Sequence, residues 1–279
     1  MGDTRFHFRT RLCPIKRELS PVHEQFNRES QLAHQIDADY LYGFVYFRQV
    51  RDKSARRGYF QKSLVLLSRF PFVNLFHEIV SRIARPFFEQ GHDVLKRACR
   101  DIDHWPAPLP GTHKLVILET SIQTTITHRS EKANNSPTGG STLTAIVDAF
   151  QAATESALTN SLQENISPAQ TNVLIPSIYS LNVYKSFLPV ISHIQLLWEL
   201  VITCEPLIVM APTPDACSEV VQSLVSVISP LKYSRDYRPF FTIHDSEFKE
   251  YTSKKQSPYV FAKLVPFEMT LINVFLFTI

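Results

Sequence analysis

The sequence predicts an α/β protein in two modules, the second with parallel strands, and three stretches carry that prediction. Residues 193–251 read as helix, strand, helix, strand. Residues 42–83 read as two facing strands followed by an amphipathic helix. Between these stretches, Pro106, Pro108 and Pro110 break regular structure and mark a boundary.

The elements follow in chain order. Arg5-Phe6-His7-Phe8-Arg9 alternates with period two, which predicts a strand. Phe26 to Ala38 is polar and reads as a loop with a helical turn. Tyr42–Gln49 is rich in aromatic and β-branched residues and predicts a strand. The basic tip Arg51-Asp52-Lys53-Ser54-Ala55-Arg56-Arg57-Gly58 turns the chain, and Tyr59–Ser68 returns as its partner. Val73, Phe76, Ile79, Val80 and Ile83 lie on one face of a helix, and a second helix spans Val94–Ile102. Leu115–Leu118 is a short strand, and Thr120–Ser141 has the composition of a long loop. Leu143–Leu162 is Ala-rich and helix-forming, Val173–Ile175 reads as a strand, and Val183–Leu188 leads to the central helix.

Ile194, Leu197, Trp198 and Val201 recur at helical spacing until Glu205-Pro206 stops the helix. Leu207–Ala211 is an apolar run of buried-strand length. Thr213 suits an N-cap, Pro214 the first turn, and Asp215 the positive end of the helix dipole. That helix carries Val220, Val221, Leu224, Val225 and Ile228 to Ser229-Pro230, and Phe240–His244 is the next strand. Two strands joined by a helix favour a parallel, right-handed crossover. In the last segment, Tyr259–Ile279, Lys263, Pro266 and Glu268 leave 11 uninterrupted residues. At ~1.5 Å each these cover roughly half of a ~30 Å hydrocarbon core, so the segment is expected to be a loosely packed strand.

Composition narrows the function classes. The net charge of +3 is too mild for a nucleic-acid partner. Cys13, Cys99, Cys204 and Cys217 lack paired spacing and read as buried thiols in a reducing compartment. MGDTRFHFRTRLCP has no apolar core, so no secretory signal is read and a cytoplasmic location is expected. His77-Glu78 opens like a zinc-protease helix, but Ser81 stands where the second histidine belongs. The seven glycines form neither a GxGxxG nor a GxxxxGK[ST] loop, so no direct nucleotide binding and no cofactor are expected. His244-Asp245-Ser246-Glu247 contains triad residue types, but neighbours on one strand end point apart, and no G-x-S-x-G elbow exists.

The residues also carry a resemblance. LLWELVITCEPLIVMAPTPDACSEVVQSLVSVISPLKYSRDYRPFFTIHDSEFKEYT resembles the central module of DENN-domain proteins. YGFVYFRQVRDKSARRGYFQKSLVLL is similar to that family's longin-like N-terminal module, and Asp101–Pro108 is a third match in the same order. The resemblance implies a guanine-nucleotide exchange factor for a Rab GTPase in endosomal traffic, cytoplasmic and recruited to endosomes, with membrane association through the Rab. The alternative is a Rab- or DENN-binding fragment without exchange. It implies a longin-like module over 1–110, a linker and mobile loop over 111–170, a partial central module over 171–258, and a divergent apolar tail over 259–279. The family's longin sheet has an earlier strand and its central module runs further, so a truncated or alternatively spliced form is expected. In the family the GTPase sits across both modules and no catalytic side chain is defined. The expected contact residues are Arg51, Lys53, Arg56 and Arg57 on the first module. On the second they are Tyr233, Arg235, Asp236, Arg238, His244, Asp245, Ser246 and Glu247.

Overall fold

A computed structural model describes residues 3–12, 18–54, 56, 58–127, 129, 172–175, 177–179, 181–242 and, by backbone path, 260–264. The first sheet is antiparallel in the order β1 (Thr4–Arg11), β2 (Tyr40–Arg51), β3 (Tyr59–Ser68). Its register stacks two kinds of row. His7, Phe44 and Leu66 share one face, while Phe6, Val45, Val65 and Phe8, Gly43, Leu67 share the other. The first face is covered by α2 (Val73–Gln90), whose Phe76, Ile79, Val80 and Ile83 are buried as the helical spacing requires. The second face keeps Val65 and Leu67 exposed. Gly43 is needed there because the Phe8 ring occupies the place of a Cβ. The stretch expected to be a loop is partly helical. Ser20 and Pro21 start α1 (Pro21–Glu29), Phe26 anchors it in the core, and a 3-10 turn follows at Leu32–His34. Aromatic periodicity is absent from this segment, so one buried ring had to supply the anchor.

Helix α3 (His92–Asp103) leads to the proline-rich stretch, which is not a boundary between cores. Trp105 donates from Nε1 to the Val116 carbonyl at 2.8 Å and packs on the first core. β4 (Gly111–Ile117) and β5 (Thr120–Ile126) form a hairpin, and β6 (Asn172–Ile175) pairs parallel with β5. Residues 111–126 are therefore strands rather than linker, and Ile117, Ile122, Ile126 and Ile175 all enter the first core. The Thr-rich β5 was hidden by its composition: Gln123 and Thr125 are exposed while Ile122, Thr124 and Ile126 are buried.

The second core begins with α4 (Val183–Phe187) and a 3-10 stretch (Leu188–His193). These run into α5 (Ile194–Ile202). Val183–Ile202 has the length and hydropathy of a membrane span, but Val190 kinks it, and Phe187, Leu197 and Val201 are buried in the core. Strand β7 (Leu207–Ala211) and helix α6 (Pro214–Ser226) fall where the sequence places them. Thr213 holds the N-cap position, although its side chain makes no capping bond. β8 (Tyr237–Phe241) starts three residues before the expected strand. It runs parallel to β7, as expected, but the two are not neighbours: β9 (Val260–Leu264) lies between them and pairs parallel with both. Of the free cysteines, Cys217 is buried, with its thiol pushed up to about 11 by burial, and Cys99 is exposed, contrary to the expectation of buried thiols.

Candidate functional site: the junction of the two modules

Strand β1 belongs to the first sheet, yet it packs against α6 and β8 of the second core. In the alternation Arg5-Phe6-His7-Phe8-Arg9, Arg5 is exposed but the other two polar residues turn inward. His7 is fully buried and Arg9 is 5% exposed. Burying a guanidinium is costly unless it is paired and hydrogen-bonded. Arg9 donates from Nη1 to Asp236 at 2.7 Å and pairs through Nη2 with Asp37 at 3.4 Å. Its guanidinium lies between the rings of Tyr40, at 3.3 Å, and Tyr237, at 4.4 Å. Asp236 also accepts from Arg11 and Arg238, each at 3.2 Å. Arg238 returns the contact by donating to the Arg9 carbonyl at 3.0 Å. A backbone acceptor on this strand edge is thereby satisfied by the other module. The Tyr42 and Tyr237 hydroxyls meet at 2.7 Å, and the Phe6 and Phe240 rings lie 4.6 Å apart on the other side of β1. Burial pushes the Tyr237 phenol well up, so it stays neutral in this contact.

A second contact sits beside the first. His7 Nδ1 and His77 Nε2 of α2 are 3.1 Å apart, with Phe44 against both rings. Burial lowers His7 to about 4 and holds His77 well below the usual histidine range. Both rings are therefore neutral near pH 7, and one donates to the other. Gln222 of α6 faces His7 closely enough to influence its titration, without forming a well-shaped hydrogen bond to His7 Nε2.

The expected contact residues fall into three groups. Arg51, Lys53 and Arg56 are exposed at the β2–β3 tip, and Arg235 is exposed beside β8. Tyr233, Asp236 and Arg238 are buried, at 6%, 8% and 4% exposure, so they are not available surface groups. The sequence marks them as polar; Arg9 and Arg11 of β1 hold Asp236 inside, Arg238 donates to the Arg9 carbonyl, and Tyr233 packs in the second core. Arg57 and His244, Asp245, Ser246 and Glu247 lie outside the described residues. Arg9, Asp37, Tyr42 and Tyr237 were missed. A buried ion pair separated by 227 positions has no local sequence signature, and only the polar residues alternating on β1 pointed toward it.

Among the described residues no group of three His, Cys, Asp or Glu side chains could hold a metal ion. The class defined by fold and site is a two-module α/β protein, joined through a buried Arg–Asp–Tyr network. No family model matches the chain. Over 260 residues, 92% of its length, the chain is 44% identical to Protein DENND6B of Mus musculus, covering 41% of that protein. It is 43% identical over 262 residues to human Protein DENND6B, covering 92% of the chain and 41% of that relative. Protein DENND6 homolog of Dictyostelium discoideum is 36% identical over 233 residues, or 77% of the chain and 32% of that protein. The chain spans about two fifths of the length of the mouse and human relatives. It belongs to the DENN-domain family.

Proposed function

We infer that the chain acts on a Rab GTPase as a guanine-nucleotide exchange factor in endosomal membrane traffic. The observation that carries this reading is the 44% identity to a DENND6 protein along 92% of the chain, across both modules. Exchange of this kind needs no nucleotide cradle and no cofactor. The factor and the nucleotide each weaken the other's affinity for the GTPase by the same free energy. A partner held across two modules needs them fixed in relation to each other, and the junction supplies buried contacts suited to that task. Two exposed features fit such a partner. One is the basic tip with Arg51, Lys53 and Arg56, joined by Arg235 on the second module. The other is the apolar outer face of the first sheet, where Val65 and Leu67 are exposed. Recruitment of a cytoplasmic protein to endosomes would follow from Rab binding.

The test is release of a fluorescent GDP analogue from a panel of purified Rabs. Acceleration of one or a few members supports exchange. Capture of a Rab with no release supports the non-catalytic binding alternative, and neither capture nor release across the panel defeats both. Arg51→Ala/Lys53→Ala/Arg56→Ala is expected to weaken Rab capture while leaving the melting temperature unchanged, because these side chains are exposed.

A further inference from the structure

A cavity of about 170 Å³ lies at the junction, with walls from β1, the Leu32–Asp37 segment, Tyr179, α6 and the segment before β8. Among the described residues, three donors of its lining are buried and lack a protein partner: Arg9 Nε, the Tyr179 hydroxyl and the Tyr233 hydroxyl. The three residues are 5%, 7% and 6% exposed. A buried donor left unmade costs about 1–3 kcal/mol, so three around one cavity call for an occupant that accepts hydrogen bonds. Gln222 Oε1 in the same lining is a buried acceptor without a partner, so that occupant also carries a proton to donate, as a monohydrogen phosphate does. Burial raises both phenols, so both hydroxyls keep the proton they would donate.

The charge of the site sets the sign of that occupant. Arg9, Arg11, Arg238 and Lys232 gather around the carboxylates of Asp37 and Asp236. Positive charge stays in excess even when Asp39 in the adjoining loop is counted. Lys232 lines the cavity but is only 3.9 Å from Asp37, a loose pair, and its side chain is 37% exposed. It therefore stands between the cavity and solvent with donors to spare. His34 is stacked on Tyr179 at 3.6 Å and is held at about 4 by burial, so it adds no charge near neutrality. The volume accommodates one tetrahedral oxyanion with a water or two, but not a nucleotide.

We propose that this cavity binds a phosphate group, held by Arg9, Lys232, Tyr179 and Tyr233 between the two modules. Water alone would satisfy the phenols but would leave the excess positive charge uncompensated. Because the ligand touches groups from both cores, its binding stabilises their junction by mass action. The shared chemistry leaves two sources, free phosphate and a phosphomonoester headgroup of a lipid, and the experiment separates them.

The full chain is melted in sodium phosphate and in sodium chloride at matched ionic strength. Phosphate binding is then titrated by calorimetry. Tyr179→Phe/Tyr233→Phe removes two unpartnered hydroxyls, so in chloride it is expected to match or exceed the parent in stability. In phosphate the parent's melting temperature rises above its chloride value, and the double variant loses roughly tenfold or more in affinity. Lys232→Met, at a half-exposed position, weakens phosphate binding without lowering stability in chloride. Flotation with phosphatidylcholine vesicles containing phosphatidic acid, challenged with free phosphate, assigns the source. Retention that free phosphate competes away supports a headgroup, and a response to free phosphate without retention supports the soluble anion. Equal melting in phosphate and chloride, or an unchanged affinity in the double variant, overturns the proposal and leaves a water-filled cavity.

Discussion

Asp236 is the residue on which the junction's charges converge, since Arg9, Arg11 and Arg238 all donate to it. Removing it leaves Arg9 and Arg238, both at most 5% exposed, without their shared carboxylate. Asp236→Ala is therefore expected to lower the unfolding free energy by about 3–5 kcal/mol, read from urea midpoints. Arg9→Met/Asp236→Leu removes the buried pair from both sides and should cost much less, because no isolated charge remains. A double variant no more stable than Asp236→Ala would show that the ion pair is not what the single change disturbs. The buried histidines give a pH signature of definite sign. Burial lowers His7 from 6.5 to about 4, so between those values the unfolded chain binds the extra proton. The stability this group contributes is complete above about pH 6.5 and is lost as pH falls through about 4, a difference on the order of 3 kcal/mol. His7→Phe/His77→Leu should flatten the urea-midpoint profile across that window; an unchanged slope would place the acid sensitivity elsewhere. Neither effect was legible in the sequence. The period-two alternation predicts a strand but does not say which face is buried, and only tertiary packing turns His7 and Arg9 inward.

At the scale of elements, patterns with a strong period were readable and those with a polar surface were not. β3, β7 and α2 stand where apolar spacing puts them, because each has one face to bury. β5 was obscured by its Ser and Thr content, yet its turn contains a testable feature. Leu118 and Glu119 join β4 to β5 with φ of 46° and 67°, the positive values a two-residue hairpin turn needs and L-residues resist. Leu118 also packs on the first core, so Glu119 is the residue to change. Glu119→Gly should raise stability by about 0.5–1 kcal/mol, less than the full strain because glycine also loosens the unfolded chain. A fall in the thermal midpoint would mean that the Arg97–Glu119 contact at 3.8 Å outweighs the strain. The reverse case is Gly43, where the Phe8 ring occupies the Cβ position. Gly43→Ala should cost about 1–3 kcal/mol by overpacking, with partial rescue by Phe8→Leu. A neutral Gly43→Ala would show that the ring moves aside freely.

At the scale of the whole molecule, the question is whether two cores behave as one. The proline-rich stretch reads as their divider, but Trp105 closes it onto Val116 and the first core continues to Ile178 and Tyr179. The sequence could not reveal this, because proline content reports local backbone freedom and not which core a flanking aromatic joins. The actual meeting place is β1 against α6 and β8, through the Arg9–Asp236 pair, the Tyr42–Tyr237 contact and the Phe6–Phe240 rings. Contacts that satisfy buried charge in both cores should tie their unfolding together, because opening either one strands the other's partner. The chain supplies its own probes for this. It has two tryptophans, Trp105 packed on the first core and Trp198 on α5 of the second. Trp198→Phe leaves a reporter for the first core, and Trp105→Phe one for the second. The two urea transitions are expected to coincide once each variant's own stability is allowed for by circular dichroism. Adding Asp236→Ala with Tyr237→Phe to each should separate them, with the tryptophan of the less stable core moving to lower urea. Transitions that are already separate in the parent pair would mean that the junction is a contact between independent units. Coincident transitions after both junction changes would place the coupling in the apolar packing of α6 on β1 instead.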